Sequence, residues 1–449
     1  MSRRSGHAVL ALTTLVLAGV APAAWGNGRP PQTNGVFFKP NDPATILVRT
    51  TFGLLISKDE GCSFRWVCEK SIGYGGEFDP KYAVASDGTL FATTFTGLRV
   101  SRDGGCTWVT ATAETPATDP GHIADIWIDA LDISATGEVW VATAESARPN
   151  NVYSSKDNGV TFQPRGMASP TIWWKSIKTA RTNPQRVYVT GYQVAGTLPD
   201  GGQSPPTAHL LRSDDAGANW NELSLAAMMF GSTPIVMVSA VDPTDPDTLI
   251  VTSIGANAMG DRVYRSTDAG ATFTEVTLTS QPVKDVLFAA DGTVIVATLG
   301  GSFKSTDRGA TFTALPNAPQ LQCIGQRSDG QLVGCGANWD PDFKAVALSA
   351  DDASTWTKLF RFVELAGPIA CPADTPNAQM CDPLWPTLQE QFGATGPTNP
   401  ACALPQVDGP PPPKPPGGCC DANAGGGAAL GALALLGWIV VVSRPRRRR

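Results

Sequence analysis

Two carboxylates four residues apart, Asp125 and Asp129 in ADIWIDALDI, are the plainest candidates for chemistry in this chain. Carboxyl groups held about 5–10 Å apart can cleave a glycosidic bond, one protonating the leaving oxygen while the other attacks or activates water. On an extended strand the two fall on one side. If that strand lines a solvated channel, they are either a catalytic pair or a hydrated wall. Tyr74 and Glu77 in IGYGGEF form a second polar pair. Nucleophile elbows of the G-x-S-x-G kind and phosphate-cradling glycine loops do not occur. His122 and His209 are the histidines beyond the N-terminal segment, and C-x-x-C spacing is absent, so neither a metal nor another cofactor is expected. Exposed aromatics are the other kind of candidate, because Trp and Tyr form platforms for sugars and peptides. Trp173, Trp174, Tyr192 and Trp339 sit near long irregular segments and are candidates for such a face, or for packing between elements.

The elements that must position these residues are written as a repeat. An eight-residue motif beginning with Ser and carrying Asp at its third position occurs seven times: SKDEGCSF from Ser57, SRDGGCTW from Ser101, SKDNGVTF from Ser155, SDDAGANW from Ser213, STDAGATF from Ser266, STDRGATF from Ser305 and SADDASTW from Ser349. Apolar runs end at each Ser and restart at each closing aromatic, which is the pattern of a hairpin. In the turn, the carboxylates of Asp59, Asp103, Asp157, Asp215, Asp268, Asp307 and Asp351 can accept nearby backbone N–H groups, and Gly supplies positive φ. These aspartates therefore read as structural. Ala353 replaces the glycine of the seventh motif, which predicts a looser turn there. Another strand precedes each motif (LFATT, VWVATA, VIVATL), and a further apolar segment precedes most of those. Four strands per unit and seven units predict an all-β, seven-bladed propeller. GVFFKP from Gly35 and RFVELAG from Arg361 are both candidates for closing the ring.

The motif S-x-D-x-G-x-[TS]-[WF] resembles the Asp-box, or BNR, repeat of β-propellers such as sialidases, sortilin-type ectodomains and photosystem II assembly factors. The resemblance covers residues 35–365. For a sialidase it implies an arginine triad, a Tyr/Glu nucleophile pair and an early Arg-Ile-Pro motif. Arg-Ile-Pro is missing, and nothing gathers three arginines around Tyr74 and Glu77.

The chain ends predict where the propeller lives. Arg3 and Arg4, the apolar run 8–21 and the small residues before position 27 form a signal peptide, residues 1–26. The propeller spans 27–365 and a Cys-containing extension packed on it spans 366–402. A Pro-rich stalk, 403–418, is expected to be extended. Residues 419–449 contain Cys419, Cys420, an apolar segment at about 424–442 and a terminal Arg cluster, which predicts a transmembrane helix with its arginines in the cytoplasm. This tail resembles the MYXO-CTERM sorting signal, which implies processing near the two cysteines and delivery to the cell surface.

The whole chain has a formal net charge of −6, but leaving out the seven arginines at 3, 4, 444 and 446–449 leaves 27 Lys+Arg against 40 Asp+Glu. So acidic a body disfavours nucleic acid as a partner. Eight cysteines precede the tail in a disulfide-permissive setting. Cys323 and Cys335 flank a turn and can face one another. Cys62 can pair with Cys106 or with its neighbour Cys68, while Cys371, Cys381 and Cys402 are expected to pin the extension. The expected function is an exported, monomeric, surface-anchored binding or adhesion module for a glycan or an envelope or extracellular protein. A glycoside hydrolase and an envelope assembly factor are the alternatives.

Overall fold

A computed structural model of the protein describes residues 29–398 apart from 77, 198–201, 233, 256–259 and 279–280. Seven four-stranded antiparallel sheets follow one another along the chain. Their innermost strands, Thr33–Phe38, Tyr82–Val84, Ile128–Ile133, Trp173–Thr179, Ile235–Val241, Val283–Phe288 and Cys323–Gln326, touch in succession around a central axis. The result is an all-β, seven-bladed propeller. The signal-peptide, Cys402, stalk, Cys419–Cys420 and transmembrane expectations lie outside the described residues; within them no helix is long and apolar enough to cross a membrane.

The second strand of each blade lies between neighbours on both edges and is packed on both faces. That is why LFATT, VWVAT and VIVAT read as nearly unbroken apolar runs and are fully buried. The core is divided into layers between blades. Phe91 of the second blade meets Val139, Val141 and Tyr153 of the third, and Trp140 of the third meets Trp174, Ile177 and Val187 of the fourth. Trp174 therefore belongs to the core, being 2 % exposed, and is not on a binding face.

Each Ser-Asp motif turns the chain from third to fourth strand. In the sixth, Ser305 Oγ donates to Asp307 Oδ1 at 2.6 Å, Gly309 N donates to Ser305 Oγ at 2.8 Å, and Thr311 donates through N and Oγ1 at 2.9 and 2.6 Å. The carboxylate thus ties together the two ends of the turn. Two consecutive residues adopt left-handed backbone, for example Arg308 and Gly309 at φ 56° and 81°. The seventh turn is not looser. Ala353 takes φ 67° and its N–H reaches Ser349 Oγ at 3.0 Å, while Thr355 N and Oγ1 reach Asp351 at 2.9 and 2.6 Å. Closure of the network outweighs the steric cost of a Cβ in that region.

Neither chain end exchanges a strand to close the ring. The segment at Gly35 lies in the inner strand of blade one, and blades one and seven are each built from continuous chain. Residues 361–398 leave blade seven as a strap instead. Ala366 N donates to Phe64 O, Trp66 N to Gly367 O and Ile369 N to Trp66 O at 2.8–3.0 Å, so the strap pairs with the outer edge of blade one. Helix Trp385–Phe392 then places Trp385, Leu388 and Phe392 against the core shared by blades seven and one. Disulfides Cys68–Cys381 and Cys106–Cys371 fasten the strap to blades one and two. Cys68 therefore does not pair with Cys62, which is itself disulfide-bonded, and Cys106 does not pair with Cys62 either. Cys323 and Cys335 are bonded directly across two paired strands.

The Ala353→Gly variant is expected to gain about 0.5–1 kcal/mol in denaturant unfolding, because it relieves a left-handed alanine. Hydrogen bonds from the Asn219 amide and N–H and the Ser213 hydroxyl hold Asp215 down at about 2, below the ordinary 3.8. Its folded-state value is depressed, so its contribution to stability is present above pH about 4 and is lost as pH falls towards 2. An Asp215→Asn variant should flatten that part of the acid-unfolding profile. Replacing both Cys68 and Cys381 with Ser should cost about 2–5 kcal/mol and expose the strap to limited proteolysis.

Candidate functional site

The inner strands do more than surround an axis. Five of them carry a β-bulge: pairing to the second strand skips Asn34, Asp129, Lys175, Ser239 and Lys284. A bulge leaves one residue out of the ladder and re-aims its side chain. Asn34, Ser239 and Lys284 line the central channel, while Asp129 and Lys175 bond to each other, Lys175 Nζ to Asp129 Oδ2 at 2.7 Å. Lys81 completes this cluster. Its Nζ bonds to the carbonyls of Asp129 and Lys175 and lies 3.7 Å from Asp129 Oδ1. Asp129 is 5 % exposed and thus neutralised by ammonium groups from blades two and four. Although the Lys81 side chain keeps 29 % of its surface, it lies deep within the ring. Desolvation there pushes it down to about 8, against the opposing pull of Asp129.

Asp125 does not share this environment. It precedes the strand in a left-handed turn at φ 54°, is exposed, and its carbonyl accepts Arg148 Nη2 at 2.9 Å. The expected alternation of Asp125 and Asp129 onto one face fails because the strand begins only at Ile128 and bulges at Asp129. Tyr74 is packed with Tyr82, the two hydroxyls 3.5 Å apart, and burial raises it well above its ordinary value.

Two adjoining cavities of about 630 and 180 Å³ occupy the channel. At the end opposite the Ser-Asp turns, a continuous ridge of aromatic rings runs across the blades. Phe78 meets Phe95 at 4.5 Å, Phe95 meets Trp127 at 5.0 Å, Trp127 meets Trp173 at 5.8 Å, and Trp173 meets Tyr192 at 6.1 Å. Phe95 is 50 % exposed and the other four rings are partly buried. Trp173 and Tyr192 are cross-strand partners within blade four. The ridge abuts the charged cluster, because Trp173 precedes Lys175 by two residues and Trp127 precedes Asp129 by two. Trp339 is 48 % exposed on the long loop of blade seven and makes no ring contact with the ridge among the described residues. The pairing of Trp173 with Tyr192 agrees with a shared face. Phe78, Phe95 and Trp127 were not singled out from sequence, although IWID and IWWK place Trp127 and Trp173 at equivalent positions of successive blades.

No family model and no curated protein matches this chain. Among solved structures it is similar to the GH74 xyloglucanase from Xanthomonas campestris, at 16 % identity and TM-score 0.47, over 73 % of this chain and 60 % of that one. The chain thus spans about 60 % of the xyloglucanase's length. It is also similar to YCF48 from Cyanidioschyzon merolae, at 12 % identity and TM-score 0.46, over 68 % and 92 % of the two chains. A streptogramin B lyase gives 12 % identity and TM-score 0.43, over 68 % and 90 %. These likenesses are of fold alone.

Removing the Asp129 charge strands two ammonium groups at the channel mouth. Asp129→Asn should cost about 1–2 kcal/mol in denaturant unfolding, discounted for the partial exposure of both lysines. Lys81 has a folded-state value below that of the unfolded chain, so the folded protein binds fewer protons between about 8 and 10.5. Stability should therefore rise with pH across that window, and Lys81→Met should remove the rise.

Proposed function

We propose that the protein is an exported, surface-anchored, non-catalytic binding module whose contact face is the aromatic ridge, and that its partner is an extended glycan. The ridge is the observation that carries this reading. Five rings in unbroken contact form an apolar strip with polar groups beside it, which is the composition of a sugar-binding surface. Ring-on-ring packing also pre-organises the strip, lowering the entropy lost on binding. Three disulfides among the described residues fit an oxidising compartment.

A glycoside hydrolase on the same face needs a carboxyl group held protonated as well as a second carboxylate. The acids around the ridge are committed elsewhere. Asp129 is bonded to Lys175, and Asp79 accepts Arg29 through both oxygens and also Asn34. Glu145 is held below its ordinary value, first by the Ala147 N–H and then by that of Ser146. These engagements favour binding over hydrolysis.

A glycan and cell-envelope array probed with the intact chain tests this. Phe95→Ala, at a half-exposed ring, should weaken the strongest glycan hits by about tenfold, in keeping with about 1–3 kcal/mol for a stacked aromatic contact. Thermal unfolding should be unchanged. Release of new reducing ends would move the assignment to a hydrolase, and binding indifferent to both Phe95→Ala and Trp173→Ala would remove the ridge from it.

A further inference from the structure

The channel below the ridge has a charge opposite to that of the protein around it. Six cationic side chains line the 630 Å³ cavity, Lys39, Arg49, Lys81, Lys178, Arg181 and Lys284, against two carboxylates, Asp132 and Asp285. Both carboxylates are taken up in joining blades. Asp132 Oδ2 accepts Thr179 N and Oγ1, each at 2.7 Å, across to blade four. Asp285 accepts Val286 N at 2.9 Å within its own strand and Ile324 N at 3.0 Å across to blade seven. The cations are less engaged. Arg49 is bonded to Asn34, Lys81 to two carbonyls, and Lys39 lies 3.4 Å from Asp42. Lys178, Arg181 and Lys284 have no hydrogen bond or ion pair among the described residues. Lys178 nonetheless acts electrostatically on both Lys81 and Asp285, so the charges share one field.

We infer that the channel is a binding site for a compact multivalent oxyanion carrying carboxylate or phosphate groups. Like charges gathered in a concave, low-dielectric space repel one another and focus potential onto whatever enters. Seven converging strands hold them there, and a counter-anion would relieve the repulsion. The site lies between the blades and extends to Lys39, Ser134, Arg181 and Ser328, just beyond the distal ends of the inner strands. It is thus distinct from the aromatic ridge and stands whether or not the ridge binds a glycan. Lysine ammonium groups act as point charges with no planar demand, which suits a branched polycarboxylate or a polyphosphate equally.

Titration calorimetry of the intact chain with citrate and with tripolyphosphate at low ionic strength tests the site. One or both anions should bind with one-to-one stoichiometry, and the tighter one identifies the group that is recognised. Acetate should not compete. Lys178→Gln/Lys284→Gln should weaken binding by about tenfold or more, and raising the salt to about 0.5 M should weaken it further. Arg181→Gln is a second, independent variant. Lys58→Gln/Lys156→Gln, on the exposed Ser-Asp turns, should leave the affinity unchanged. Thermal unfolding without anion should be no lower in the channel variants, since the replaced groups have no partners to lose. Absence of binding by both anions, an affinity untouched by both channel variants, or an equal loss from the surface control would each overturn the inference.

Discussion

The structure depends on what happens at the inward edge of seven strands. A strand at a sheet edge exposes unpaired N–H and C=O groups, and here seven such edges converge where no eighth strand can fit. Side chains span the gaps. Asp132 reaches the backbone of the next blade at Thr179, Ser176 receives Val238 N at 3.2 Å, Asp261 receives Val283 N at 2.8 Å, and Asp285 receives Ile324 N. Thr33 closes the circuit by donating to Ala345 O at 2.6 Å. Each link joins consecutive blades by a short polar arm, and together they turn seven independent sheets into one ring.

That requirement also shapes the electrostatics. Carboxylates near the axis are recruited to satisfy N–H groups, so the lysines and arginines among them are left without counter-charges. A chain that is acidic overall therefore encloses a basic interior. The distribution follows from acceptors being needed at the inner edges, where a carboxylate can serve two N–H donors and an ammonium group none.

Much of this architecture is legible in the sequence, for physical reasons. The Ser-Asp turns are local: every donor and acceptor lies within six residues, so the motif carries its own geometry. Buried second strands announce themselves as apolar runs. Strand bulges are different, because one extra residue shifts the alternation by which inward-facing positions are inferred. Asp125 and Asp129 look like partners for that reason, and Lys175 and Lys284 look like ordinary surface lysines. The ridge is hidden by distance, since Phe78 and Tyr192 are 114 positions apart in the chain and meet only through intermediates on three blades. Pairing of Cys68 with Cys381 is likewise invisible to spacing, which favours the near neighbour Cys62 until the strap's path is known.

The strap has a mechanical consequence. In a ring closed by strand exchange, tension on the trailing chain is borne by a ladder of hydrogen bonds that can unzip one at a time. Here the trailing segment crosses from the last blade onto the first two and is welded to both by covalent bonds. A tug from downstream of residue 398 would meet the Cys68–Cys381 crosslink before it could peel blade seven away. The assembly is built to be held by its tail under load.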